Sequence, residues 1–272
     1  MKKTISRIEH LFSEGKANIA YLTAGDGGMQ RTLDAALALI ESGINMLEIG
    51  IPFSDPIADG PVIQRATIRS IAAHTTIDKI LKLAQKIRQH SNIPLILFSY
   101  LNPILAALKS NFFSNAKQSG IDALLLVDCP LEESELIQAE CKKNNIDLIY
   151  VITPSTSIDR IKSIDAHAQG FLYYACRKGT TGTRNGFPED FQQKLQTIKS
   201  LVHLPVVVGF GISNREMLQQ VLAHADGVVV GSLFVKALED GMSPLELSTL
   251  AKTIIDSGTL NMTFPQPKTQ TN

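Results

Sequence analysis

Gly227-Val228-Val229-Val230-Gly231-Ser232 is a β-branched run that ends on a glycine and a serine, after which the spacing from Leu233 to Glu239 turns helical. A stretch apolar on every residue suits a strand covered on both faces, as parallel sheets require. The same unit recurs along the chain. Short apolar runs stand at 18–23, 45–49, 93–99, 123–127, 148–152, 171–175, 205–208 and 227–230. Amphipathic stretches at 31–42, 77–90, 112–119, 132–144, 158–167, 191–201 and 215–223 separate them. Eight strands alternating with helices predict parallel β–α units. Their even spacing favours a single-domain α/β protein, a (β/α)8 or TIM barrel over residues 1–260, with an open doubly wound sheet as the structural rival. An extra N-terminal helix is expected at 4–12, and the polar tail 261–272 is expected to fray.

Bulk properties exclude several classes. Lys+Arg and Asp+Glu both number 26 among 272 residues, so the formal net charge is 0 and nothing suggests a basic nucleic-acid footprint. Cys129, Cys141 and Cys176 show no C-x-x-C spacing, which favours a reducing, cytoplasmic setting over a disulfide-stapled fold. The N-terminus reaches Glu9-His10 before any long apolar run and does not read as a signal peptide, and no apolar run is long enough to cross a membrane. Histidines at 10, 74, 90, 167, 203 and 224 avoid the strand ends, so neither a metal site nor a His-based triad is expected. Glycines 25, 27 and 28 lack the G-x-G-x-x-G spacing and context of a dinucleotide site.

In either architecture the chemistry belongs just after the strands. Glu48 sits inside Met46-Leu47-Glu48-Ile49, and if Leu47 and Ile49 face the helices, it points into the barrel. Such a carboxylate is either satisfied by a neighbouring amide or tyrosine, or is a general acid/base with a raised pKa. Asp59 ends a Pro/Gly-rich loop that can fold back over the mouth, or it caps the helix starting near Pro61. Tyr173 shares the parity of Phe171 and Ala175; it faces Glu48 or is a core tyrosine. Gly209-Phe210-Gly211-Ile212-Ser213, Gly231-Ser232 and Thr181-Gly182 follow the last three strands and offer bare N–H groups at one corner. Loops seven and eight with a short helix after strand eight form the recurrent phosphate site of such barrels.

Further segments complete a pattern. They are Thr23-Ala24-Gly25-Asp26, the run from Leu47 to Pro61 (LEIGIPFSDPIADGP), Tyr100-x-Asn102-Pro103, Asp128-x-Pro130, Pro154-x-Thr156, Gly170-Phe171 and Ala225-Asp226-Gly227. Together they resemble the tryptophan synthase alpha chain family over about residues 4–260. The resemblance implies a carbon–carbon lyase that cleaves indole-3-glycerol phosphate to indole and D-glyceraldehyde 3-phosphate. It implies Glu48, Asp59 and Tyr173 as catalytic residues, and Gly182, Phe210, Gly211, Gly231 and Ser232 as phosphate contacts. Tyr21 and Arg177 fall in the pocket and its loop 177–190, and Thr181 matches a threonine that contacts the aspartate. No cofactor is implied in this chain. A pyridoxal-phosphate beta chain is the implied partner in an alpha2beta2 complex, docking on Asp55, Pro56, Asn102 and Pro103. Departures stand beside these matches. Gly27 replaces the usual proline and is expected to loosen its turn, Tyr21 replaces phenylalanine, and Cys176 and Thr180 alter the sixth loop. A free-standing lyase, a weakly catalytic activating subunit and another phosphate-binding barrel remain the alternatives.

Overall fold

The computed structural model describes residues 5–176, 187–209 and 211–255. Eight parallel strands pair in sequence order: β1 (Ala17–Thr23), β2 (Met46–Gly50), β3 (Leu95–Ser99), β4 (Ala123–Leu126), β5 (Asp147–Ile152), β6 (Leu172–Ala175), β7 (Val206–Gly209) and β8 (Gly227–Val230). Strand β8 returns to pair with β1, which closes the barrel and excludes the open sheet. The helices are α1 (Arg7–Glu14), α2 (Met29–Glu41), α3 (Pro61–Ala72), α4 (Ile77–His90), α5 (Leu101–Ala107) and α6 (Phe112–Gln118). They continue with α7 (Glu135–Asn144), α8 (Ile158–Asp165), α9 (Phe191–Leu201), α10 (Arg215–Leu222), α11 (Ser232–Glu239) and α12 (Pro244–Ile254).

Boundaries move where local hydrogen bonds outvote the apolar pattern. Helix α1 starts at Arg7 rather than residue 4, because Ser6 Oγ accepts from the Glu9 N–H at 3.1 Å and the Glu9 carboxylate returns the favour to Ser6 N–H. The helix expected at 132–144 is split into a 3₁₀ turn, Leu131–Glu133, and α7, with Ser134 Oγ bonding back to the Leu131 carbonyl. Helices α5 and α12 are additions. The first carries Pro103 in its opening turn, where a missing N–H is tolerated. The second opens on a Ser243–Glu246 capping box with Pro244 at its first position. The tail at 261–272 lies outside the described residues.

Strand period two divides the core. Ala20, Leu22, Leu47 and Ile49 pack outward against the helices, while Ile19, Tyr21, Met46, Ile96, Leu125, Phe171 and Val207 fill the interior. Helix α1 caps the N-terminal end of the barrel. Its Ile8 and Leu11 are fully buried against the interior set, and Phe12 meets Phe171 edge-on with centroids 5.9 Å apart.

Side chains at this lower end bind backbone N–H groups near the strand starts. Asn45 accepts from the Asn18 N–H at 2.7 Å, Asp122 from Leu95 at 2.9 Å and Asp226 from Val206 at 2.8 Å. Asp122 also receives Arg88 at 2.6 Å and Arg7 at 2.8 Å. Arg88 is mostly buried, and desolvation lowers its pKa to about 10 despite the adjacent carboxylate. Removing Asp122 leaves that cation with carbonyl acceptors but no opposite charge. Asp122→Ala is expected to lower the unfolding free energy by about 3–5 kcal/mol, the cost of breaking one side of a buried pair, measured by urea denaturation.

Candidate active site

The strand alternation that sends Met46 inward sends Glu48 inward too, near the C-terminal end of β2. Its side chain is 1% exposed, and neither carboxylate oxygen accepts a hydrogen bond from a described residue. Burial alone drives its pKa from the ordinary 4.5 to about 8. At neutral pH this group therefore holds a proton it can give.

Asp59 is brought back over the mouth by a folded loop. The Ile57 N–H bonds Asp55 O, the Asp59 N–H bonds Pro56 O, and the Ala58 N–H donates to Tyr100 Oη at 2.9 Å. The Tyr100 hydroxyl in turn donates to the Asp59 carboxylate. Burial raises Asp59 to about 6, opposed by that hydrogen bond. The capping alternative fails: the N-cap of α3 is Gly60, with Pro61 next, and no side chain caps it. Tyr100 thus joins the site as a residue to which its motif alone assigns no role, because the N–H and carboxylate it binds come from a different loop.

Two tyrosines complete the same space. Tyr21 lies opposite Glu48 in the β1–β2 register and Tyr173 opposite Val207 in β6–β7. Each hydroxyl occupies room left by a glycine two residues on in the partner strand. A Cβ on Gly50 would stand 2.2 Å from Tyr21 Oη, and one on Gly209 would stand 1.8 Å from Tyr173 Oη. Phe98 meets the Tyr21 ring edge-on at 5.2 Å. Burial raises both phenols well above the ordinary value. The carboxylates add to this, Asp59 then Glu48 for Tyr21 and Glu48 then Asp59 for Tyr173. Both carboxylates therefore act on both phenols.

Beside them lie Gly231 and Ser232, where a Cβ on Gly231 would stand 3.4 Å from Tyr21 Cβ. Ser232 is the first residue of α11, whose N-cap Gly231 leaves the leading N–H groups without a side-chain cap. Arg177, Thr181, Gly182 and Phe210 lie outside the described residues. Cys176 is buried at the end of β6.

Asp55, Pro56, Asn102 and Pro103 sit on two adjoining segments, linked by the Phe53–Tyr100 ring contact at 5.3 Å and by the Ala58–Tyr100 bond. Ile57 between them is 76% exposed. The turn at Gly27 is not loosened. Gly27 takes φ +73, which proline's ring forbids, and the Gly28 N–H bonds Gly25 O at 2.9 Å. Arg69 grips Asp26 through two bonds of 2.6 and 2.8 Å and also holds Glu239, which Arg65 holds in turn. Loop one, α3 and the end of α11 are thereby tied together. Among the described residues no group of side chains forms a metal site, and no helix is long and apolar enough to cross a membrane.

A family model described as tryptophan synthase alpha chain matches residues 9–261. The chain belongs to the tryptophan synthase alpha chain family. It is 49% identical to the tryptophan synthase alpha chain of Coxiella burnetii strain CbuK_Q154 over 97% of this chain and 100% of that protein. It superposes on tryptophan synthase subunit alpha of Legionella pneumophila with a TM-score of 0.81, at 33% identity over 92% and 97% of the two chains. The tryptophan synthase A-subunit of Pyrococcus furiosus gives 0.82 at 36% identity over 89% and 98%. As a member of the tryptophan synthase alpha chain family, this chain is a carbon–carbon lyase that cleaves indole-3-glycerol phosphate to indole and glyceraldehyde 3-phosphate.

The buried acid has a thermodynamic signature. Between its ordinary 4.5 and about 8, the folded chain keeps a proton on Glu48 that the unfolded chain has released. Stability therefore falls as pH rises through that window. Glu48→Gln is expected to flatten the decline by up to about 1.4 kcal/mol per pH unit, read from chemical denaturation across about pH 5 to pH 8.

Proposed function

We propose that Glu48 and Asp59 divide the lyase reaction between them, with the substrate phosphate at the corner of Gly182, Phe210, Gly211, Gly231 and Ser232. The observation that carries this reading is the pair of buried carboxylates, raised to about 8 and about 6, that both act on Tyr21 and Tyr173. At neutral pH the first is protonated and the second largely ionised. Glu48 gives its proton to indole C3, which leaves positive charge on the ring nitrogen. Asp59 accepts the indole N–H hydrogen bond and stabilises that charge. Glu48, now a carboxylate, takes the proton of the hydroxyl on the adjoining carbon as the bond to C3 breaks. The electrons of that bond return to the ring, indole and an aldehyde separate, and Glu48 ends protonated as it began. Tyr173 lines the same space, and Arg177 and Thr181 are assigned to the substrate pocket by the family pattern.

Tyr100 supports this assignment by holding the Asp59 carboxylate and its loop in one place. The surface of Asp55, Pro56, Asn102 and Pro103, with the exposed Ile57, is the proposed seat of a pyridoxal-phosphate beta chain in an alpha2beta2 complex.

Steady-state release of glyceraldehyde 3-phosphate, with and without a beta chain, tests both proposals. Glu48→Gln and Asp59→Asn are each expected to lower kcat by about a hundredfold to ten-thousandfold. The kcat/KM profile is expected to be bell-shaped. It rises as Asp59 ionises near 6 and falls as Glu48 loses its proton near 8. Turnover unchanged in both variants would remove the two carboxylates from the mechanism. Ile57→Asp is expected to weaken beta-chain binding at least about tenfold, since it places a charge in an apolar contact, as followed by sedimentation.

A further inference from the structure

Tyr21 spans the two ends of the proposed site. Its base adjoins the phosphate corner, where a Cβ on Gly231 would stand 3.4 Å from Tyr21 Cβ and 3.7 Å from Cδ1. Its tip lies at the acid end, over Gly50, one strand period beyond Glu48. The edge contact with Phe98 fixes the ring plane, and the β1–β2 register fixes where the side chain starts. Thr23 Oγ1 donates to Tyr21 Oη at 3.4 Å, so the phenol keeps its own proton to give. Asp59, the charge that acts most on this hydroxyl, already takes the proton of Tyr100.

A ligand anchored at the corner and reacting at Glu48 must run its three-carbon chain along this ring. That chain carries two hydroxyls. The one next to the indole gives its proton to Glu48 as the carbon–carbon bond breaks. The other is untouched by the chemistry and is a ready acceptor. We propose that Tyr21 is a specificity-determining residue of this chain, its hydroxyl donating a hydrogen bond to the non-reacting hydroxyl of the substrate's glycerol chain. This rests on the placement of the reacting carbon and the phosphate given above. A phenylalanine in the same place keeps the wall and loses the contact.

The experiment compares wild type and Tyr21→Phe on two substrates. One is indole-3-glycerol phosphate. The other is its analogue lacking only the non-reacting hydroxyl, which retains the bond to be cleaved. On the natural substrate, Tyr21→Phe is expected to lower kcat/KM about threefold to tenfold, the worth of one neutral hydrogen bond. The loss falls on KM, because that contact is unchanged between ground and transition state. On the analogue the two enzymes are expected to match, which separates a lost contact from a disturbed fold. Equal losses on both substrates, no loss on either, or a loss confined to kcat overturns the assignment. Glu48→Gln is run alongside. If it is inactive while Tyr21→Phe loses equally on both substrates, the proposed site stands and only the role of Tyr21 falls. If it turns over like wild type, the underlying site falls and this inference with it.

Discussion

A carboxyl group kept from water inside a closed ring of strands is the constraint to which the rest of the mouth answers. Parallel strands with period two send every second side chain of β2 into the interior, and Glu48 occupies one of those places. Nothing among the described residues hydrogen-bonds it, so the charged form is disfavoured and the neutral acid persists to about pH 8. The interior is also crowded. Large tyrosines at the upper layer fit because the neighbouring strands end in Gly50 and Gly209, which leave the volume a Cβ would fill. The same geometric device therefore seats Tyr21 on one side of the barrel and Tyr173 on the other.

The two acids differ because their hydrogen bonding differs. Asp59 has a phenolic donor and sits on a loop with internal backbone bonds, while Glu48 sits on a strand and has only desolvation. Burial pushes both upward, and the bond from Tyr100 restrains one of them. A single barrel end thus offers a group mostly protonated and a group mostly ionised at the same pH. Around this pair, charged side chains hold the supporting loops. Arg69 binds the first loop through Asp26 and reaches Glu239 at the end of α11, so α3 ties the first loop to α11.

Much of this was legible in the residues. Continuous apolar runs marked the parallel strands, and parity set Glu48 on the face opposite Leu47 and Ile49, because period two is a local property of extended backbone. Closure was less visible: it depends on β8 meeting β1, a pairing of distant segments that no local pattern encodes. The first helix start slipped because a cap decided it, at Ser6. Tyr100 carried no signal of its role, since its partners Ala58 and Asp59 reach it only through the folded loop. Gly27 misled in the opposite sense. Its lack of a side chain suggests slack, yet the positive φ it permits is what lets that turn close on its own hydrogen bond.

Helix α1 has an effect on traffic. With Ile8, Leu11 and Phe12 stoppering the lower end and a packed interior above them, the described residues close that end of the barrel. Nothing then reaches Glu48 from below. Under the roles proposed above, a ligand seated at the upper end stands between that acid and bulk solvent, and the hydrogen carried over from one turnover to the next then reports the order in which the products leave.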